Sequence, residues 1–145
     1  MSLQQIIQSL FDDLQPSRIT LRQPSDSDIF PVTNEVTGDG VDSIVGMATP
    51  NMPKQPIVLR VTGGEQVVQT DCVGDYPDDD AYQTMLGLYG GMQAQIVTPV
   101  RRDDQTVAII SVHQCGRKRD WTDAEAARCR EAAAQVLAEL DAAAS

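Results

Sequence analysis

The amino-acid sequence predicts an α+β fold, a central antiparallel sheet of five to six strands with helices at both chain ends packed on one of its faces. Three observations lead to it. Residues Ala94 to Val100 and Thr106 to Gln114 are two β-rich apolar runs on either side of the charged turn Arg101 to Gln105, which is the pattern of a hairpin. Next, Trp121-Thr122-Asp123-Ala124-Glu125 has the spacing of a capping box: Thr122 is set to accept from the Glu125 N–H while Glu125 reaches back, so a helix starts at Asp123. At the other end, Ile6, Ile7, Leu10, Phe11 and Leu14 fall on one stripe of an amphipathic helix over Ser2 to Leu14.

Between these ends, Ser17 to Gln23 alternates as a strand does, with Ile19 and Leu21 on one face and Arg18, Thr20 and Arg22 on the other. Pro24 to Asp28 reads as a turn and Phe30 to Thr37 as the next strand, so the two form a meander. Val41 to Met47 reads as a short helix or a loop, and three prolines make Ala48 to Pro56 an extended connection. Ile57 to Thr62 reads as a strand stopped by Gly63-Gly64, followed by a second short run from Glu65 to Thr70, with Asp71 as a cap or turn residue. Asp78 to Asp80 then supply the cap and negative first turn of a helix from Ala81 to Tyr89, which ends at Gly90-Gly91. That helix carries Tyr82, Met85, Leu86 and Tyr89 on one face. The C-terminal helix presents Ala126, Cys129, Ala133, Val136, Leu137 and Leu140, a stripe small enough for the N-terminal helix to come close, within one chain or between two copies.

The composition narrows the function. A chain of 145 residues, 41% of them apolar, suffices for one domain over 1–145 with its own core. Eleven basic against 21 acidic residues give a net charge of −10, which repels nucleic acid and anionic lipid, so neither is expected as a partner. Arg101-Arg102 and Arg117-Lys118-Arg119 read as solvated loop charges. No run approaches the roughly 20 apolar residues of a membrane span, and Met1 to Gln15 lacks the features of a signal peptide, so a cytoplasmic location is expected. Cys72, Cys115 and Cys129 match no Cys-x-x-Cys pair and stand beside a single histidine, and Gly74 to Asp80 lacks EF-hand spacing and its terminal glutamate. No metal and no cofactor are expected.

The run from Gly91 to Leu140 resembles the C-terminal half of a GAF domain. The matching positions are Pro99-Val100 at the end of one strand, Ala108 to His113 in the next, and Trp121 to Glu125 at the helix start. Glu65 to Cys72 is a weaker upstream echo of the same pattern. The resemblance implies a sheet with the terminal helices on one face and, on the other, a short helix and loops roofing a pocket that holds a small ligand.

Strand alternation says which side chains would look into such a pocket. Ala108, Ile110 and Val112 make an apolar face suited to the terminal helices, which leaves Ile109, Ser111 and His113 on the opposite one, joined by Gln95 from the hairpin partner and by Thr20 and Arg22 of the first strand. Tyr82, Met85 and Tyr89 would roof it, offering apolar area and two hydroxyls to a flat or mixed-polarity organic molecule. Unpaired polar groups buried in a dry core cost about 1–3 kcal/mol each, so this convergence means either internal pairing or a bound partner. Both readings stand: His113 as a core histidine bonded to Ser111 or Tyr89, with Arg22 ending in water, or all of them as ligand contacts. A register one residue off would reverse every assignment.

Three functions follow. The resemblance implies a small-molecule-binding sensory or regulatory domain acting through a partner protein or as a homodimer, and no catalytic constellation argues against it. Some free-standing GAF proteins reduce free methionine sulfoxide with cysteine thiolates, and by that analogy Cys72, at a strand end, and Cys115 are the nucleophile and resolving candidates. Photoreceptor GAF domains attach a bilin through a cysteine usually beside a histidine, and no such pair stands in a helix here. The third is an accessory subunit for protein interaction, with a vestigial pocket.

Overall fold

The computed structural model describes residues 1–25, 30–47 and 54–144. In chain order these residues form α1 (Leu3–Leu14), β1 (Arg18–Arg22), β2 (Val32–Thr37), α2 (Pro56–Thr62), β3 (Val67–Gln69), α3 (Cys72–Asp75), α4 (Asp80–Leu88), β4 (Met92–Arg102), β5 (Gln105–Cys115) and α5 (Asp123–Ala144). The five strands make one open sheet in the order β2-β1-β5-β4-β3, antiparallel throughout. Most of the expected turn after Pro24 and most of the proline-rich connection, 26–29 and 48–53, lie outside the described residues.

Alternation along the central strands builds two cores. Ile19, Leu21, Ile96, Val100, Ala108, Ile110 and Val112 pack against Ile6, Ile7, Leu10 and Leu14 of α1 and Cys129, Ala132, Ala133 and Val136 of α5, as the sequence predicts for the terminal helices. On the opposite face Val97 and Ile109 meet Ile57, Val61, Tyr82, Met85, Leu86 and Tyr89. A register shift between Met92 and Ala94 re-aims β4 so that Met92 joins this second core. The predicted capping box of α5 forms: the Thr122 N–H donates to Glu125 Oε1 at 2.9 Å and the Glu125 N–H to Thr122 Oγ1 at 3.1 Å. A second one opens α1, between Ser2 and Gln5.

Two expectations are corrected. Residues 57–62 are helix α2 rather than a strand. Pro56 sits in the first turn, where its missing N–H costs nothing, and burial follows a helical period, with Ile57 and Val61 inside and Leu59 outside. Thr62 returns its hydroxyl to Val58 O at 2.8 Å, which satisfies a β-branched residue within the helix. The β-branched composition therefore misleads here, and of the two runs expected as strands only the second, as β3, is one. Cys72, expected at a strand end, instead opens the one-turn helix α3. Asp71 caps it by accepting from the Gly74 N–H, and a Cβ at Gly74 would come within 2.5 Å of Asp71 Oδ2, so a side chain there would have to displace the capping carboxylate.

The helical assignment is testable, because a strand would put residues 57, 59 and 61 on one face. Leu59 is 58% exposed and Val61 fully buried. In urea denaturation Leu59→Lys should shift stability by less than about 0.5 kcal/mol, while Val61→Ala should cost about 1–3 kcal/mol. Equal losses at both positions would restore the strand.

Candidate functional site

Beneath α2 and α4 a chamber of about 50 Å3 remains between protein side chains. Its floor is the polar face of the sheet: Arg22 from β1, Gln95 and Val97 from β4, and Ile109, Ser111 and His113 from β5. Its roof is Met85 and Tyr89, with Gln55, Ile57, Val58 and Val61 from α2 and the residue preceding it. Six of the sequence-predicted residues, Arg22, Met85, Tyr89, Gln95, Ser111 and His113, thus border one space. Thr20 and Tyr82 do not. Thr20 pairs across the sheet with Ser111 and is fully buried, its hydroxyl without a partner among the described residues.

Tyr82 belongs to a polar network outside the chamber wall. Gln69 Oε1 accepts from the Tyr82 hydroxyl at 3.0 Å, from Gln95 Nε2 at 2.6 Å and from the Cys72 thiol at 3.6 Å, while Gln69 Nε2 donates to Asp75 Oδ2 at 3.0 Å. One amide thereby ties β3, β4, α3 and α4 together. Burial is the largest cause raising the Tyr82 hydroxyl well above its usual range, and it pushes the Cys72 thiol up to about 12. Cys115, half-buried, donates to Tyr89 O at 3.3 Å. The two thiols therefore lie at opposite ends of α4, separated by roughly 10 Å of helix rise at 1.5 Å per residue. Cys129 is buried under α5, its thiol likewise pushed up to about 12.

The decisive contact comes from a residue not singled out in the sequence. Arg18 on β1 lies opposite His113 on β5 and is 1% exposed. Its Nη1 donates to Tyr89 O at 3.2 Å and meets His113 Nδ1 at 3.0 Å, and its Nη2 donates to Asp42 O at 2.9 Å. A guanidinium has only donors, so His113 Nδ1 is the acceptor and the ring is the neutral tautomer with its hydrogen on Nε2. Arg22, which on one of the two readings would end in water at the strand margin, is buried, donating to Phe30 O at 3.0 Å and to the Tyr89 hydroxyl at 2.9 Å. Tyr89 stacks on His113 with ring centroids 5.7 Å apart. The alternation that exposed Thr20 and Arg22 to the argument applied equally to Arg18; α2, read as a strand, carried no such signal.

His113 titrates well below 6.5, because burial excludes its cation and Arg18 and Arg22 repel it. The unfolded chain binds that proton near the ordinary value, so between the two values the unfolded state holds more protons and stability rises with pH. Stability should therefore be flat with respect to this group above about 6.5 and fall as pH drops toward the folded value. Urea titrations of the protein and of His113→Asn check it: the variant, weaker at neutral pH because Arg18 loses an acceptor, should lack this part of the acid slope. Identical slopes would contradict the assignment.

Among the described residues, no group of three or more His, Cys, Asp or Glu side chains is arranged to hold a metal, and no helix is long and apolar enough to cross a membrane. No curated protein matches the chain in sequence. Among solved structures it is similar to the blue-light absorbing form of the PixJ GAF domain of Thermosynechococcus elongatus, at 18% identity over 96% of this chain and 84% of that one, with a TM-score of 0.79. It is similar to the GAF3 domain of a Synechocystis protein in its photoproduct state, at 18% identity over 96% and 99% of the two chains, with a TM-score of 0.70. A far-red absorbing dark state with bound biliverdin IXα is similar at 15% identity over 95% and 86%, with a TM-score of 0.79. At such identities the likeness is one of fold. The pattern that defines the GAF domain matches residues 2–140, and the chain belongs to the GAF domain family.

Proposed function

We propose that the protein is a small-molecule-binding sensory or regulatory domain that acts through a partner protein or a second copy of itself and performs no chemistry of its own. One observation carries this reading: Arg22, Gln95, Ser111 and His113 converge on one buried sheet face around an unfilled chamber. A binding site needs a few placed polar groups in an apolar enclosure, and the enclosure here is Ile57, Val58, Val61, Met85, Val97 and Ile109. The separation of Cys72 from Cys115 by the length of α4, and the raised thiol of Cys72, favour this over a thiol reductase, which needs an attacking thiolate and a resolving partner within bonding reach.

The chamber, at about 50 Å3, is smaller than the roughly 150 Å3 cavity that admits benzene. A ligand of organic size enters by displacing a wall. The wall suited to move is α2, seven residues long and without a side-chain cap at its start. Its far end is held where Thr62 O accepts from Arg101 Nη1 at 3.2 Å and Val61 O from Thr106 Oγ1 at 3.1 Å. Biliverdin, bound by one of the similar structures, is a candidate to test, although a tetrapyrrole would require the largest displacement. The small chamber also favours a second reading, an accessory subunit with a vestigial pocket.

Native mass spectrometry of protein purified without additives separates the two. The sensor reading expects a mass increment that denaturation releases and that Val58→Trp, which crowds the chamber mouth from α2, removes without lowering the melting temperature. A stoichiometric protein partner with no retained molecule, and no shift in melting temperature with biliverdin or a metabolite collection, would overturn it in favour of the accessory subunit.

A further inference from the structure

The sheet face that carries His113 has a second opening. Where β1 begins and α4 ends, and residues 40–47 fold back after β2, there is a cleft of about 530 Å3 that shares no lining residue with the chamber under α2. Arg18 lies at its floor, and Ile44, Met47 and Leu88 form apolar wall. None of the ion pairs among the described residues includes Arg18. Among the described residues its charge is met by two backbone carbonyls and a neutral imidazole nitrogen.

Of the five N–H donors of this guanidinium, three are used. The two left are Nε–H, buried without a partner, and one hydrogen on Nη2. These atoms neighbour each other, the arrangement in which arginine takes a carboxylate. A buried cation lacking an anion is costly, so the site gains from one. Access runs past Gly90, where a Cβ would stand 3.8 Å from both Arg18 Nη2 and Cys115 Sγ. With no side chain there, both atoms face the cleft.

We propose that this cleft is a second binding site that takes a small organic monoanion, a carboxylate on an apolar body, with its oxygens on Arg18 and its body along Ile44, Met47 and Leu88. The chain's charge of −10 and the Asp42 side chain at the rim repel polyanions such as nucleotides. A singly charged anion on an apolar body loses least to that field and gains most from the apolar wall. The cleft shares no lining residue with the chamber under α2, so its occupation does not require a ligand there.

Calorimetric titration of the full chain with benzoate, against the uncharged isostere benzamide, tests it. Benzoate should bind one to one, and benzamide about tenfold or more weaker, as the loss of a charge-assisted contact implies. Gly87→Leu supplies the blocking variant: a Cβ at Gly87 meets nothing within 4 Å, the position lies on α4, and leucine favours helix over glycine. It should abolish benzoate binding in a folded protein, as should Arg18→Met if that variant folds. Bound benzoate should also suppress alkylation of Cys115 by iodoacetamide, the other two thiols being buried. Absent benzoate binding, equal affinity for benzamide, or binding that survives Gly87→Leu and leaves Cys115 reactive would overturn the proposal.

Discussion

A positive charge buried at the start of β1 constrains the rest of this fold. Arg18 cannot be placed inside without acceptors, and those it finds come from three separate parts of the chain: Tyr89 at the end of α4, Asp42 in the segment after β2, and His113 on β5. Satisfying one guanidinium therefore positions the roof of the chamber, one wall of the side cleft and the tautomer of the only histidine. Removing a partner would leave a polar group buried and unpaired, at about 1–3 kcal/mol or more where charge is involved. These acceptors are neutral, so the electrostatic compensation of this buried charge is incomplete.

The contrast between the faces follows from alternation in β1, β4 and β5. One face, meeting α1 and α5, is aliphatic and closely packed, and its stability is that of buried hydrocarbon. The other collects Arg18, Arg22, Gln69, Gln95, Ser111 and His113, where hydrogen bonds join Arg18 to His113, Gln95 to Gln69 and Arg22 to Tyr89 at the end of α4. Such networks are rigid when complete and sensitive when a member is drawn away. A ligand that engages Arg22, Tyr89 or His113 from the chamber competes directly for contacts that hold the end of α4. Binding of the proposed ligand would in this way be coupled to local structure without any need for a distant relay.

Much of this was legible in the sequence because the signals are local. The alternation of Ile19 and Leu21 against Thr20 and Arg22, the Thr122–Glu125 cap and the hairpin around Asp103 and Asp104 each rest on neighbouring residues, and each is found in place. The face bearing Ser111 and His113 follows from the same alternation. What was not legible depends on tertiary contacts. In α2 the β-branched run Ile57 to Thr62 favours a strand by composition, and only packing of Ile57 and Val61 on the sheet selects the helix. Tyr82 lies on the predicted stripe but is drawn to Gln69, a residue with no distinguishing context of its own. The size of the chamber was out of reach, because it reflects how far Tyr89 and α2 settle onto the floor.

The protein is a member of the GAF family whose polar sheet face is held closed by its own side chains, contacts that the proposed ligand would replace. The Arg18–His113 contact and the neutral imidazole it requires are what hold that face closed. The most direct measurement is the 15N NMR signal of the imidazole, which needs no assignment in a chain with one histidine. The account predicts Nδ1 without a hydrogen, Nε2 carrying one, and both unchanged as pH falls through 6.5. A hydrogen on Nδ1, or an ordinary titration at that pH, would contradict it.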